Sequence, residues 1–278
     1  MKYSRRVIRA NVLTYTAAII VCLIVAFPIY WMLLSSLRGG SIGAGSLLPD
    51  PSAFSLDAYR NVFKMFPFIT WYRNSIIVSV ATTAIALIVA MFSAYSMARF
   101  DFRGRAGFGF AILLSQALPT VLVAIPLFSL LSKLHLLNSY PGLILSYVAR
   151  ALPFSIWMLW GFFQSVPPQL EEAAQIDGLT RIGALFRIIF PLSAPGIAAV
   201  MLFTFVLAWE EYLLSLMVMA SDTMITLTVG AARMIGGQSV LWGELMAYSA
   251  MMTLPVALVF AFAQRYLVAG MTAGAVKS

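Results

Sequence analysis

The feature that most limits this chain is a succession of apolar runs, with the charged residues confined almost wholly to the gaps between them. A helix needs about 20 mainly apolar residues, at about 1.5 Å of rise each, to cross about 30 Å of hydrocarbon. Six stretches reach that length, at about 12–37, 74–98, 106–131, 141–163, 195–219 and 245–268. Only 10% of the 278 residues are charged and 62% are hydrophobic, whereas a soluble domain carries about 25% charged residues. The sequence therefore predicts an all-α membrane protein with six transmembrane helices in a single domain, 1–278. No segment between the runs is long enough for a second, soluble domain.

Several chemistries are excluded by the same residues. Cys22 is the single cysteine, so no intramolecular disulfide and no multi-thiolate metal site can form, and it is expected to be a core-facing thiol. His135 is the single histidine, expected as a solvated side chain, which leaves no histidine cluster for zinc or a triad. The net charge of +8 comes from small scattered groups rather than a basic stripe, which argues against nucleic acid. The run Gly39 to Ser46 lacks the lysine of a phosphate-binding loop, and no other glycine-rich stretch supplies that pattern. No catalytic residue, metal or cofactor is expected on this chain.

Orientation follows from the basic residues. Lys2, Arg5, Arg6 and Arg9 precede a run too long for a signal peptide's apolar core of about 7–15 residues, so the run reads as a retained first span. Eleven Lys and Arg lie in the N-terminus, the 99–105 turn, the 164–194 loop and the C-terminus, against six on the other side, with Arg150 inside a span. That bias places both termini in the cytoplasm. The outer 38–73 loop contains an amphipathic piece, Leu56 to Met65, that suits a short surface helix.

The 164–194 loop is patterned. Prolines at 167 and 168 enter a short helix with acids in its first turn, and Gly178 ends it. A second segment, Thr180 to Phe190, places Ile182, Leu185, Phe186 and Ile189 at helical spacing before Pro191 and Pro195. Two short amphipathic helices joined at a glycine make a compact knob. Ala173 and Ala174 allow another surface to approach closely, and Glu171, Glu172 and Asp177 offer charge-assisted hydrogen bonds to a partner's basic side chains.

The order Glu172-Ala173-Ala174, three residues, Gly178, nine residues, Ile188, one residue, Phe190-Pro191 resembles the EAA loop of binding-protein-dependent ABC importer permeases, with phenylalanine at 190 where that family usually has leucine. Leu56 to Phe63, Trp71 to Ser75, Ala208 to Leu213 and Gly270 to Ser278 are similar to segments of the shorter permease subunit of maltose-type transporters. The resemblance implies a type I ABC importer permease fold with a cytoplasmic coupling-helix loop in the plasma (inner) membrane. It implies as partners a second homologous permease, two ATPase subunits that hold the ATP and Mg, and an extracytoplasmic substrate-binding protein. It also implies that the 170–187 helices dock into the ATPase, with Glu171, Glu172, Ala173, Ala174, Asp177, Gly178, Phe186, Ile188 and Pro191 as the docking set. The outer loop at 220–243 is then expected to meet the binding protein through Gly236, Gly237 and Gln238.

Ionisable residues inside spans are costly and face a bundle interior or water. Glu210 and Glu211 fall in the outer third of the fifth span, and Arg150 near the middle of the fourth, where it either pairs with a carboxylate or lines a wet cavity. Neighbouring helical residues point about 100° apart, so the two glutamates are not expected to line one cavity. Gln116, with Ser115 and Thr120, and Tyr248, with Thr253, are candidates for a path that meets sugar hydroxyls, or for bonds between helices. The expected function is a permease subunit carrying a sugar or sugar derivative. The alternatives are the same assembly carrying a glycerol phosphodiester or polyamine, and a proton-coupled transporter relaying through Glu210, Glu211 and Arg150.

Overall fold

Apolar side chains around the whole circumference of a segment leave its backbone groups no partners but each other, so each long run closes into a helix. The computed structural model describes residues 5–38, 49–236 and 240–275, with side chains between 11 and 267 of these. In order, the helices are α1 Arg5–Ser36, α2 Asp57–Met65, α3 Phe68–Arg99, α4 Arg105–Gln116, α5 Thr120–Lys133 and α6 Tyr140–Ser165. They continue as α7 Pro168–Ile176, α8 Arg181–Leu192, α9 Ala194–Glu210, α10 Leu213–Val218, α11 Leu227–Ile235 and α12 Trp242–Ala275. No strand occurs among the described residues.

Four helical stretches are long and apolar enough to span alone: Asn11–Ser36, Phe68–Arg99, Tyr140–Ser165 and Trp242–Leu267. Six are reached when the α4–α5 pair, bent by 101°, and the α8–α9 pair, bent by 82°, each count as one. The third run, 106–131, is therefore not one straight helix. Pro119 crowds the residue before it out of helical conformation and ends α4 at Gln116. The fifth run, 195–219, also breaks, because Glu211 is extended (ψ 118°) between α9 and α10.

The larger of two units comprises Phe68–Gly230 and Leu254–Ser278. Its core is the packing of α3 against α6 and α9. Ala86, Ala90 and Ala94 recur every fourth residue on α3, and Ala151, Ser155, Leu159 and Phe163 do so on α6, all fully buried. Small residues let backbones approach, which is the main source of helix association where lipid removes the hydrophobic drive. Ser155 and Thr204 hydrogen-bond across the α6–α9 contact at 3.2 Å. Two glycines mark the closest approaches: a Cβ on Gly142 would lie 2.1 Å from the Leu136 carbonyl oxygen, and one on Gly196 would lie 2.3 Å from the Phe162 ring.

The smaller unit comprises Met1–Pro67 and Ala231–Thr253. The amphipathic piece is indeed a helix, α2, which buries Ala58 and Val62. Asn61 donates to Glu244 at 3.0 Å, and Ser36 bonds the Tyr59 hydroxyl at 2.8 Å. The apolar stretch of α1 is only 6% buried. Cys22 is accordingly exposed rather than core-facing. The Gly39 to Ser46 run lies outside the described residues.

Gly142→Ala should lower the melting temperature of the purified protein in detergent through overpacking worth about 1–3 kcal/mol. Gly161→Ala, whose added Cβ meets nothing within 4 Å, should melt like the parent. Equal melting of the two variants would contradict the packing described.

Candidate functional site

Two clusters of polar groups stand out, at different depths of the larger unit. The first is the knob. Pro168 presets the first turn of α7, and Glu171 sits in that turn, where an acid is favoured by the helix dipole. At the other end Gly178 takes φ +93°, the Gly178 N–H donates to Gln175 at 3.1 Å, and the Leu179 N–H reaches back to Ala174 at 2.9 Å. This glycine-closed turn satisfies the last carbonyls and redirects the chain into α8. Thr180 then caps α8 by accepting from the Gly183 N–H at 3.1 Å. Within α8, Leu185–Ile189 widens into a π turn just ahead of Pro191, whose ring and missing N–H disrupt ordinary helical bonding.

The structure corrects one expectation here. Glu171 does not face outward: it is 5% exposed, and its carboxylate is taken by groups of α3. Arg99 Nε donates to Glu171 Oε2 at 2.8 Å, the Tyr95 hydroxyl donates to Oε1, and Arg99 Nη2 donates to the Val166 carbonyl at 2.9 Å. One guanidinium thus ties the end of α6 to the start of α7. Ala174 also turns inward, with Leu185 and Ile189. Arg181 lies over the Phe100 ring at 5.0 Å, a further tie between α8 and the end of α3. The face left outward carries Glu172, Ala173, Asp177 and Gly178, with Ile176 at 87%, Ile182 at 61% and Phe186 at 45% exposure. Pro191 is exposed and Ile188 half-buried.

The second cluster surrounds the break at Glu211. A backbone that leaves helical geometry at membrane depth must be satisfied by protein or by water. The Glu211 carbonyl accepts from the Tyr147 hydroxyl at 3.2 Å and from Thr228 at 2.8 Å, and its carboxylate accepts the Leu214 N–H at 3.1 Å. The same carboxylate forms an ion pair with Arg150 of α6. Arg150 thereby both pairs and lines a cavity. With Ser115, Gln116, Thr120, Ser146 and Pro153 it borders a space of 320 Å³ between α4, α5 and α6. The bend at Pro119 brings Gln116 and Thr120 to one rim.

Glu210, the last residue of α9, is exposed, whereas Glu211, already outside the helix, is buried. Tyr248 is fully buried in the smaller unit, so its hydroxyl is not presented to a solute in this conformation. Thr253 donates to the Ser249 carbonyl of its own helix at 2.9 Å. Gly236 is exposed, and Gly237 and Gln238 lie outside the described residues. The segment before Gly236 is not wholly a loop, because α11 occupies Leu227–Ile235.

Sequence reasoning missed the residues that hold these clusters. Tyr95 and Arg99 are one helical turn apart, a same-face pair legible from spacing, although nothing local names Glu171 as their partner. Asn74 donates to the carbonyls of Thr223 and Ile225 at 2.9 Å each and accepts from the Tyr140 hydroxyl at 2.6 Å. Trp71 donates to the Asp222 carbonyl at 2.9 Å, and Ser75 accepts the Leu227 N–H at 2.8 Å. Asn138, at φ +52°, accepts the N–H groups of Ala220 and Ser221 at 3.1 Å each. The segment after α10 is thus pinned to the start of α3, about 38 Å along that helix from Arg99 at 1.5 Å per residue.

Comparison with known proteins gives a consistent result. Residues 86–273 match the family described as binding-protein-dependent transport system inner membrane component. The chain is 35% identical over 266 residues to the sulfoquinovosyl glycerol transport system permease protein SmoH of Agrobacterium fabrum, covering 95% of this chain and 93% of that one. It is 33% identical over 276 residues to the trehalose/maltose transport system permease protein MalG of Thermococcus litoralis, covering 98% and 99%. Its fold is similar to a chain in the crystal structure of a bacterial ABC transporter that imports the acidic polysaccharide alginate. The TM-score is 0.80 at 23% identity, with 96% of this chain and 99% of that one covered.

Arg99→Met leaves the Glu171 charge buried without its partner, an arrangement that costs about 3–5 kcal/mol. Amide hydrogens of residues 168–178 should exchange markedly faster in that variant, and adding Glu171→Gln should restore part of the protection. Unchanged exchange in Arg99→Met would show that the pair does not hold α7.

Proposed function

This chain belongs to the binding-protein-dependent transport system inner membrane component family, and we propose that it forms, with a second and homologous permease, the path by which a sugar delivered by an extracytoplasmic binding protein crosses the membrane. The carrying observation is the two-sided knob. Its inner side is fixed to α3 by a buried ion pair, and its outer side presents Ile176, Ile182 and Phe186 beside Glu172 and Asp177. An exposed apolar group rimmed by charge marks a surface that another protein covers. The occupant proposed is a separate ATPase subunit, two of which hold the ATP and Mg, because this sequence supplies no phosphate-binding loop.

In this reading α7 and α8 sit in the cytoplasm together with both termini, in agreement with the excess of basic residues on that side. Glu172 pairs with a basic group of the ATPase, and Ala173 and Gly178 allow its close approach. Movement of the ATPase pair is passed from α7 through Glu171 and Arg99 to α3, a 32-residue helix whose far end holds the 222–227 segment. A rigid helix tied at both ends carries a displacement from one face of the membrane to the other. The binding protein meets the outer loop near Gly236 to Gln238. A sugar as solute is favoured by relatives named for sulfoquinovosyl glycerol and trehalose/maltose.

An Ala173→Cys variant in a Cys22→Ser background should cross-link to the ATPase chain in membranes, at a yield that changes with nucleotide. Active uptake with no such capture would sink the docking role. Gly178 has nothing within 4 Å of an added Cβ, so its requirement is conformational. A left-handed residue other than glycine costs about 1–2 kcal/mol, less for asparagine. Uptake should therefore fall in the order Gly178, Gly178→Asn, Gly178→Val, and a valine variant equal to the parent would refute that requirement.

A further inference from the structure

The cavity between α4, α5 and α6 has a composition that the docking account does not use. Arg150 Nη1 is taken by Glu211, and this carboxylate is the only acceptor on the guanidinium among the described residues. The Arg150 side chain is nevertheless 39% exposed, toward a space it lines. A guanidinium has five donors in a planar fork, so at least two N–H groups remain for a ligand. Across the cavity, on α4, the exposed Ser115 has given its proton to its own helix, to the Ile112 carbonyl at 2.7 Å. Its oxygen therefore remains as an acceptor, whereas Ser146, on the same helix as Arg150, is buried and donates to Gly142 at 2.8 Å. Gln116, exposed on the rim, offers both an amide donor and an amide acceptor. Leu118, Val123, Leu127, Pro153 and Leu214 complete the lining with apolar surface.

We propose that this cavity binds one uncharged sugar ring, whose neighbouring hydroxyls bridge the free fork of Arg150 and the Ser115 oxygen while its C–H face rests on the leucine and valine side chains, and that the Glu211 carboxylate makes the site select against acidic sugars. The proposal rests on the sugar-permease reading above and names a substrate class and site within it. The chemistry of the donor set decides the class. A sugar hydroxyl both donates and accepts, so it satisfies the arginine and a serine oxygen together. A carboxylate or sulfonate standing in place of that hydroxyl only accepts, leaving the Ser115 oxygen unmatched. Glu211 has moreover cancelled the charge that would attract an anion, and burying an anion against a net-neutral pair costs its desolvation without repayment. The volume of 320 Å³ falls at the small end of the roughly 300–1,000 Å³ of ligand pockets, which suits one ring rather than a chain.

The test uses the fully assembled transporter in lipid nanodiscs, without nucleotide or binding protein, carrying Cys22→Ser and Gln116→Cys. Mixed-disulfide formation between the new thiol and a water-soluble methanethiosulfonate, which releases methanesulfinate, should be slowed by methyl α-glucoside. Half-protection should need about tenfold less of it than of methyl β-glucuronide, the step produced when one polar group goes unmatched. Glu211→Gln, which keeps an oxygen for the Leu214 N–H, should reverse that order, and Arg150→Lys should abolish protection by either sugar. Ser115→Cys provides a second reporter should Gln116→Cys fail to assemble. Equal protection by the two glycosides, no protection by either, or an order unmoved by Glu211→Gln each overturns the proposal. Protection is read without transport, so a variant assembly that imports sugar normally yet shows none counts against this site alone, and not against the permease reading.

Discussion

A bilayer interior offers a polypeptide no hydrogen bonds, and that one constraint orders everything else in this protein. Where the chain is apolar it closes into helices that satisfy themselves. Where it departs from helix it must recruit side chains, and the departures are where its polar residues have gathered. The break at Glu211 shows this most fully. Its carbonyl is taken by Tyr147 and Thr228 and its carboxylate by Arg150 and the Leu214 N–H, so four groups from α6, α10 and α11 converge on one residue. An arginine near mid-span would be costly alone and is stabilised by the acid that the break exposes.

The same logic operates at the knob. A carboxylate on the first turn of α7 is buried because Arg99 and Tyr95 meet it, and because Arg99 also completes the end of α6 through the Val166 carbonyl. A latch made of one arginine bridging two helix termini is stiff, since its planar fork fixes both distance and direction. At the opposite end of α3, Trp71, Asn74 and Ser75 bind carbonyls and an N–H of the 222–227 segment. That helix is therefore held by polar side chains at both ends and by small residues along its middle, which suits a part that moves as one piece.

Much of this was open to reading from the sequence, and the limits follow a pattern. The helical class, the two-helix knob with its turn at Gly178 and the amphipathic α2 all rest on local spacing, and all are present. From the sequence Glu171 reads as outward, because acids on a short helix usually face solvent. Cys22 reads as inward because apolar spans usually pack, yet it is exposed. Length and hydropathy alone read the third and fifth spans as straight helices, whereas the chain bends by 101° around Pro119 and leaves helical geometry at Glu211.

What the amino-acid order determined by itself is the set of properties that depend on neighbours within a few residues: apolar length, basic asymmetry, helix caps, a glycine where φ must be positive. What only the tertiary structure decided is which distant groups meet. Arg99 with Glu171 and Arg150 with Glu211 are joined across 72 and 61 positions of chain. No local pattern selects such a partner. Each pair forms because the fold brings an opposite charge to a carboxylate whose burial would be costly alone.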